Sequence, residues 1–285
     1  MDRILRRTSA TITLEIYDAS GALVDATGLP TVTIEDSAGV AIATDRVTTR
    51  ASVGVYDAAL SPAETAVLDS YSAAWTATVG GAEQTFATWY ETVGGFLFSI
   101  AELRGEDEAL ADTGAYPAAQ IRRARNSAED RLEQLCGLAF VPRGRRVSLD
   151  GNDEAGILLP DLSVTAVVAA SVDGTALTGD ELAALAVYGY GLVVRGDGGV
   201  WTAGQRNVEV FYEHGMAVAP EPVRRAARKL AASEILPSAV PDRAVAESTD
   251  VGTIRWSIAG RDGPTGIPEV DAVIDQFASR DLIGG

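Results

Sequence analysis

The chain has 285 residues, 47% of them hydrophobic and 22% charged, which suits about two globular domains and excludes a disordered polymer. Forty acidic against 23 basic side chains give a net charge of −17, a poor balance for gripping nucleic acid through its phosphates. No stretch reaches the ~18 apolar residues of a membrane helix, so no membrane partner is expected.

The start, MDRILRRTSATITLEIYD, is basic but lacks the apolar block of a secretory signal, so the chain is expected to stay in the compartment where it is made. Residues 1–94 read as β throughout. In 10–17, Ile12, Leu14 and Ile16 alternate with Thr11, Thr13 and Glu15, the pattern of a half-buried strand. The same period recurs in 31–36, 39–44, 52–60, 71–79 and 83–93, with turn residues such as Gly80-Gly81 between them. Short strands at this spacing predict a β-sandwich. Ser61-Pro62-Ala63-Glu64 spells a short helix start, with serine as N-cap, proline at N1 and glutamate at N3. The stretch Leu60–Trp75, with Tyr71 near a strand start, resembles the E–F corner of immunoglobulin-like domains.

Gly94-Gly95 reads as a linker into a second domain, 95–285. Ser99-Ile100-Ala101-Glu102 is a capping box, flanked by Phe98 and Leu103 as a hydrophobic staple, and predicts a helix over about 100–110. A longer helix is predicted over 117–136. Its apolar stripe is Ile121, Ala124, Ala128, Leu132 and Leu135; Arg122, Arg123, Arg125, Glu129, Asp130, Arg131 and Glu133 fall on its other faces, and Gly137 stops it. Residues 141–216 return to β, with turns at Asp173-Gly174 and Asp197-Gly198. A helix over 222–236 buries Val223, Ala226, Ala227 and Leu230. A C-terminal arm, 252–285, adds a short strand, a Gly/Pro loop and a helix from about Pro268 with Val270, Val273, Ile274 and Phe277 on one side. The expected fold class is α+β: an N-terminal sandwich, then a helical domain with an inserted β-rich subdomain and an arm. Regular βαβ alternation is absent, which argues against a dinucleotide-binding sheet.

Few residues offer chemistry. Cys136 is the only cysteine and His214 the only histidine, which excludes an internal disulfide, a thiolate cluster and any multi-histidine metal site. YGYGLVVRGDGG matches no phosphate-binding spelling and reads as hairpin turns; Asp150-Gly151-Asn152-Asp153-Glu154 reads as an exposed acidic turn rather than a calcium loop. His214 lacks the neighbours of a catalytic triad, and Cys136 reads as a packed small hydrophobe. The expectation is no enzyme: no catalytic residue, no cofactor and no metal. Basic density collects at Arg122, Arg123, Arg125 and Arg131 with Arg143, Arg145 and Arg146, and again at Arg224, Arg225, Arg228 and Lys229. Either group could meet DNA phosphate or acidic groups of a neighbouring subunit. The net charge favours subunit pairing for the first, and a solvated face also suits the second. The arm either folds back on its own core or exchanges onto a neighbour.

The order helix, β insertion, helix, arm, carried by 115–143, 206–236 and 260–277, resembles the head-to-tail connector (adaptor) proteins of tailed bacteriophages, particularly those of actinobacterial hosts. The resemblance covers roughly 96–285. It implies a virion protein at the head–tail interface, assembled in the host cytoplasm as a ring of about twelve copies. The ring would lie beneath a portal protein and above a neck or tail-completion protein. Double-stranded DNA would pass through it without sequence-specific binding, past a lumen of acidic character that repels phosphate. Lys229 as the only lysine fits a GC-rich phage. The sandwich resembles the immunoglobulin-like decorations of phage structural proteins. Expected subunit or portal contacts are Arg122, Arg125, Arg131, Trp256, Ile258, Pro268, Val270 and Ile274. The alternative is a host- or glycan-binding tail module that reads its receptor with the sandwich.

Overall fold

Alternating apolar and polar side chains set the N-terminal architecture. A computed structural model describes residues 1–236, 246–249, 252–255 and 263–278. Its first strands are β1 (Asp2–Leu5), β2 (Ala10–Glu15), β3 (Thr31–Glu35), β4 (Ala41–Val47), β5 (Thr49–Ser52), β6 (Val55–Leu60), β7 (Ser70–Val79) and β8 (Ala82–Val93). Two helices follow, α1 (Ile100–Glu106) and α2 (Ala118–Cys136). The insertion holds β9 (Arg143–Gly151), β10 (Gly156–Leu158), β11 (Val164–Val172), β12 (Thr175–Ala176), α3 (Gly179–Ala183), β13 (Leu185–Val187), β14 (Leu192–Arg195) and β15 (Gly204–His214). The chain then forms α4 (Glu221–Ile235), the antiparallel pair β16 (Ala246–Thr249) and β17 (Gly252–Arg255), and α5 (Pro268–Phe277). The fold class is α+β.

These elements make two compact units. One joins 1–95 to 142–215; the other joins 96–141 to 216–285. The sequence pattern set the insertion beside the helices that flank it, whereas its contacts group it with the N-terminal strands.

In the first unit, a five-stranded sheet of order β1-β8-β7-β3-β4 and a three-stranded sheet of order β2-β6-β5 share one core. Ile12, Leu14 and Ile16 meet Val32, Ile34, Tyr56, Ala73 and Trp75 there. The Trp75 indole N–H donates to the Thr88 hydroxyl at 2.8 Å, so its polar edge is satisfied. Tyr71 stacks on Tyr90 at 4.9 Å and donates to the carbonyl of Val67 at 3.3 Å. β1, which no alternation announces, pairs in parallel with β8. The helix predicted from Ser61 does not form. Ser61 donates to the Glu64 carboxylate and accepts the Glu64 and Thr65 N–H groups, but the chain turns once and straightens into β7. Thr65 and Leu68, both buried, fix that exit.

The insertion repeats the two-sheet plan, with sheets of order β12-β11-β15-β9 and β10-β14-β13 around Ile157, Val164, Val193, Trp201, Val208, Val210 and Tyr212. It is joined to the N-terminal strands at close range. Gly94 donates to the Pro142 carbonyl at 2.8 Å, and β9 passes so near the Leu68 carbonyl that a Cβ at Gly144 would fall inside it. Arg143 forms an ion pair with Glu91, and Arg6 reaches Glu213 at 3.2 Å.

In the second unit α2 packs on α4, and α5 lies against both. Ser99 and Glu102 close the expected capping box. The helix predicted to 110 breaks at Asp107, whose carboxylate accepts the Ala109 N–H at 3.0 Å and starts a separate 3₁₀ turn, Glu108–Ala111. Helix α2 stops at Gly137, whose φ of 65° is left-handed. Its buried stripe departs from the predicted one at the end: Leu135 is exposed and Cys136 is buried. Four residues on from Leu132, rather than three, is the position facing the core. Glu129, Glu133 and Arg125, assigned to the outer faces, are buried as well.

Candidate functional site

The buried polar residues of α2 hold neighbouring segments of the same unit by their backbone. Glu129 accepts the Leu97 N–H at 2.7 Å, and Glu133 accepts the Phe140 N–H at 2.9 Å. Arg125 lies over the Phe96 ring at 3.4 Å from its centre, a cation–π contact. Of the expected contact residues on this helix, Arg125 is therefore internal. Arg122 and Arg131 are exposed, and Arg131 donates to the Pro264 carbonyl at 2.8 Å.

The second basic group is engaged inside its own unit. Arg224 reaches the Leu97 carbonyl at 2.9 Å and Glu102 at 2.6 Å. Arg228, buried on α4, pairs with Glu106 at 2.6 Å and Glu221 at 3.0 Å. Lys229 pairs with Glu269 on α5. Arg225 stays exposed. Salt links thus fasten α1 and α5 to α4, and the stripe is mostly neither a solvated face nor a free phosphate grip.

Among the expected arm residues, Val270 and Ile274 are buried on α5 against helices of their own chain, and Pro268 is exposed. Phe277 meets Phe140 edge to face at 6.0 Å. The helix of the arm folds back. Trp256 and Ile258 lie outside the described residues.

In the first unit, Arg145 binds the Asp161 carboxylate through both oxygens, at 2.9 and 3.0 Å. Tyr212 donates to the same carboxylate. The imidazole Nε2 of His214 lies 3.8 Å from it, and Nδ1 has no hydrogen-bond partner. Burial first, then Arg143 and Arg145, hold His214 below its ordinary range, against the opposing pull of Asp161 and Glu91. Burial pushes the Tyr212 hydroxyl up, as does its bond to Asp161. Arg146 lies over the Phe211 ring at 4.7 Å and reaches Ser37 at 3.3 Å. This first arginine group is therefore also largely structural.

Cys136 is buried, and burial together with Glu133 raises its thiol to about 11, far from a reactive thiolate. The acidic turn after β9 spends its carboxylates on backbone: Asp150 accepts from Arg206 at 2.6 Å and Asp153 from Ala203 at 2.7 Å. Among the described residues no three His, Cys, Asp or Glu side chains converge as a metal site, and no helix is long and apolar enough to cross a membrane.

One further surface is apolar and exposed. On the outer face of the sheet β10-β14-β13, Leu158 is 63% exposed, and the adjoining hairpin tip presents Tyr188 at 45% and Tyr190 at 58%. The signal was present: Ile157-Leu158-Leu159 and Leu192-Val193-Val194 are unbroken apolar runs where a one-faced strand alternates.

The fold and these surfaces define an α+β protein whose cations chiefly brace its own elements. No protein-family profile matches the chain, and no curated protein does. Among solved structures it is similar to a chain from the neck of an empty GTA particle computed with C6 symmetry, at 17% identity and a TM-score of 0.44, covering 66% of this chain and 93% of that one.

Proposed function

We propose that this chain is a structural virion protein that forms a ring of about twelve copies between the portal and the neck or tail of a tailed phage. Double-stranded DNA passes through the bore. The observation that carries this reading is the arrangement of the segments that resemble the connector family. Helices α2, α4 and α5 pack into one unit, and the β-rich insertion lies between α2 and α4 in the sequence. The ring assembles in the host cytoplasm and sits at the head–tail interface of the virion.

Charge supports the passage of DNA. The chain carries −17, and half of its described arginines are paired with its own carboxylates, which reduces the cationic surface left to hold phosphate. An acidic bore lets DNA slide. The two sheets of 1–95 around one core, with the Tyr71 hydroxyl bonded to the Val67 carbonyl, support an immunoglobulin-like reading of that part. Arg122, Arg131 and Pro268 are exposed for contact with the portal or a neighbouring copy; Val270 and Ile274 seat the arm on its own helices.

Sedimentation velocity and negative-stain microscopy of the purified full chain test the proposal. Annular particles are expected. A chain that remains monomeric alone and in the presence of portal rings overturns it.

A second reading has one observation in its favour. Trp89 is 60% exposed on β8, paired across the sheet with Ser72, a stacking platform beside a hydroxyl. A glycan-array signal abolished by Trp89→Ala would favour a receptor-binding tail module.

A further inference from the structure

Three strands of the insertion expose a face that the described residues leave uncovered. Register places Ile157 opposite Val193 and Val187 opposite Val193, all turned to the core of the insertion. The alternate positions therefore turn outward: Gly156 and Leu158 on β10, Leu192 and Val194 on β14, Ala186 on β13 and Tyr188 just beyond it. A Cβ built on Gly156 would lie 3.3 Å from Leu192 Cδ1 and 3.8 Å from Val194 Cγ2, which fixes those two side chains on this outer side. Tyr188 and Tyr190 lie with their rings 5.6 Å apart at the hairpin tip. None of these positions is charged. An antiparallel sheet commonly leaves one face to water and makes that face polar, whereas the outward positions here are apolar.

We infer that this face, centred on Leu158 and Tyr188, is a contact surface between copies of the chain. Charge and area both point to a second copy as its occupant. Every copy carries −17, so copies repel one another except where a joint keeps carboxylates out of its centre. The outward strand positions of this face hold no carboxylate, and they also hold no cation with which to recruit nucleic acid. One leucine and two tyrosines at these exposures offer a few hundred Å², short of the roughly 800 Å² per partner of a free-standing dimer. A joint of that size suits a closed ring, where each copy is gripped from two sides and closure adds to the strength of every contact. The inference rests on the ring reading, and the two can fail separately.

The test compares the full chain with Leu158→Glu and with Tyr188→Ser/Tyr190→Ser by sedimentation equilibrium over a wide concentration range. Circular dichroism and the thermal midpoint establish that each variant folds. Self-association about tenfold weaker or more in both variants is expected, while Val218→Glu, an exposed aliphatic in the other unit, associates as the unaltered chain does. In parallel, a benzophenone maleimide is attached to Leu158→Cys; the buried, high-pKa Cys136 does not compete for it. Photolysis is expected to link two chains. Variants that associate like the unaltered chain, an unaltered chain monomeric throughout, or a cross-link confined within one chain would each overturn the inference. Association that depends on Leu158 but yields open or two-copy particles upholds this contact and overturns the ring.

Discussion

Gly144 has a single task, to let β9 pass beside the backbone of Leu68. Because the obstacle is a carbonyl rather than a flexible side chain, Gly144→Ala cannot be absorbed by a rotamer change. It should cost about 3 kcal/mol, measured as a lower urea midpoint, whereas Gly95→Ala, whose Cβ would meet nothing, should be nearly silent. His214 makes a second prediction at this scale. Burial holds its imidazole below the ordinary 6.5, so the unfolded chain takes up the proton first as pH falls. The associated stability is complete above about pH 6.5 and is lost as pH drops towards the folded-state value. Urea unfolding from about pH 8 to about pH 5.5 should show that loss, and His214→Gln should flatten it. Exposed carboxylates such as Asp25 and Asp197, held to about 2 by Arg50 and Arg195, act at far lower pH.

At the scale of elements, α2 works as a beam whose acidic residues carry the chain on either side of it. Glu129→Ala would strand the buried Leu97 N–H and should destabilise the helical unit by about 1–3 kcal/mol. Glu129→Gln keeps an acceptor and should recover most of that; chemical unfolding of both variants checks it. This class of contact is what the sequence could not display. Period-two alternation exposed β2, β3, β6, β7 and β8, and capping spelling exposed α1, because those signals lie within a few neighbouring residues. Glu129 meets Leu97 across 32 positions and Arg224 meets Glu102 across 122, so each looks like a surface charge until the chain folds. Strand β1 was hidden for the same reason, since four residues carry no period and its partner β8 is remote. Helix α3 is hidden differently: Thr178-Gly179-Asp180-Glu181 is a capping box, but the apolar run after it, 182–187, leaves the helix after Ala183 and continues as strand β13. The arginine groups were legible as basic density, and their carboxylate partners were not.

At the scale of the molecule, charge decides what the protein lets go of. A chain at −17 with half of its described arginines paired to its own carboxylates should not retain duplex DNA, and electrophoretic mobility at about 0.15 M salt should show no shift at micromolar protein. Retention that disappears steeply with added salt would mean that Arg122, Arg123 and Arg225 form a working phosphate grip, and the sliding account of the bore would be abandoned.

The path of the chain also bears on its synthesis. The sheets of 1–95 pair among themselves, but their links to the insertion, Gly94 to Pro142 and Glu91 to Arg143, wait for residues from Pro142 onward, and helix α2 awaits α4, which starts at Glu221. A ribosome therefore releases neither unit in finished form until most of the message has been read. Scissors applied at the Gly94-Gly95 step would leave Glu91 without Arg143 and the Leu68 carbonyl without its neighbouring strand. The N-terminal piece keeps its own two sheets and core, and should thus be recovered more stable when 142–215 is supplied with it, as a co-expressed fragment or through a short splice in place of 96–141.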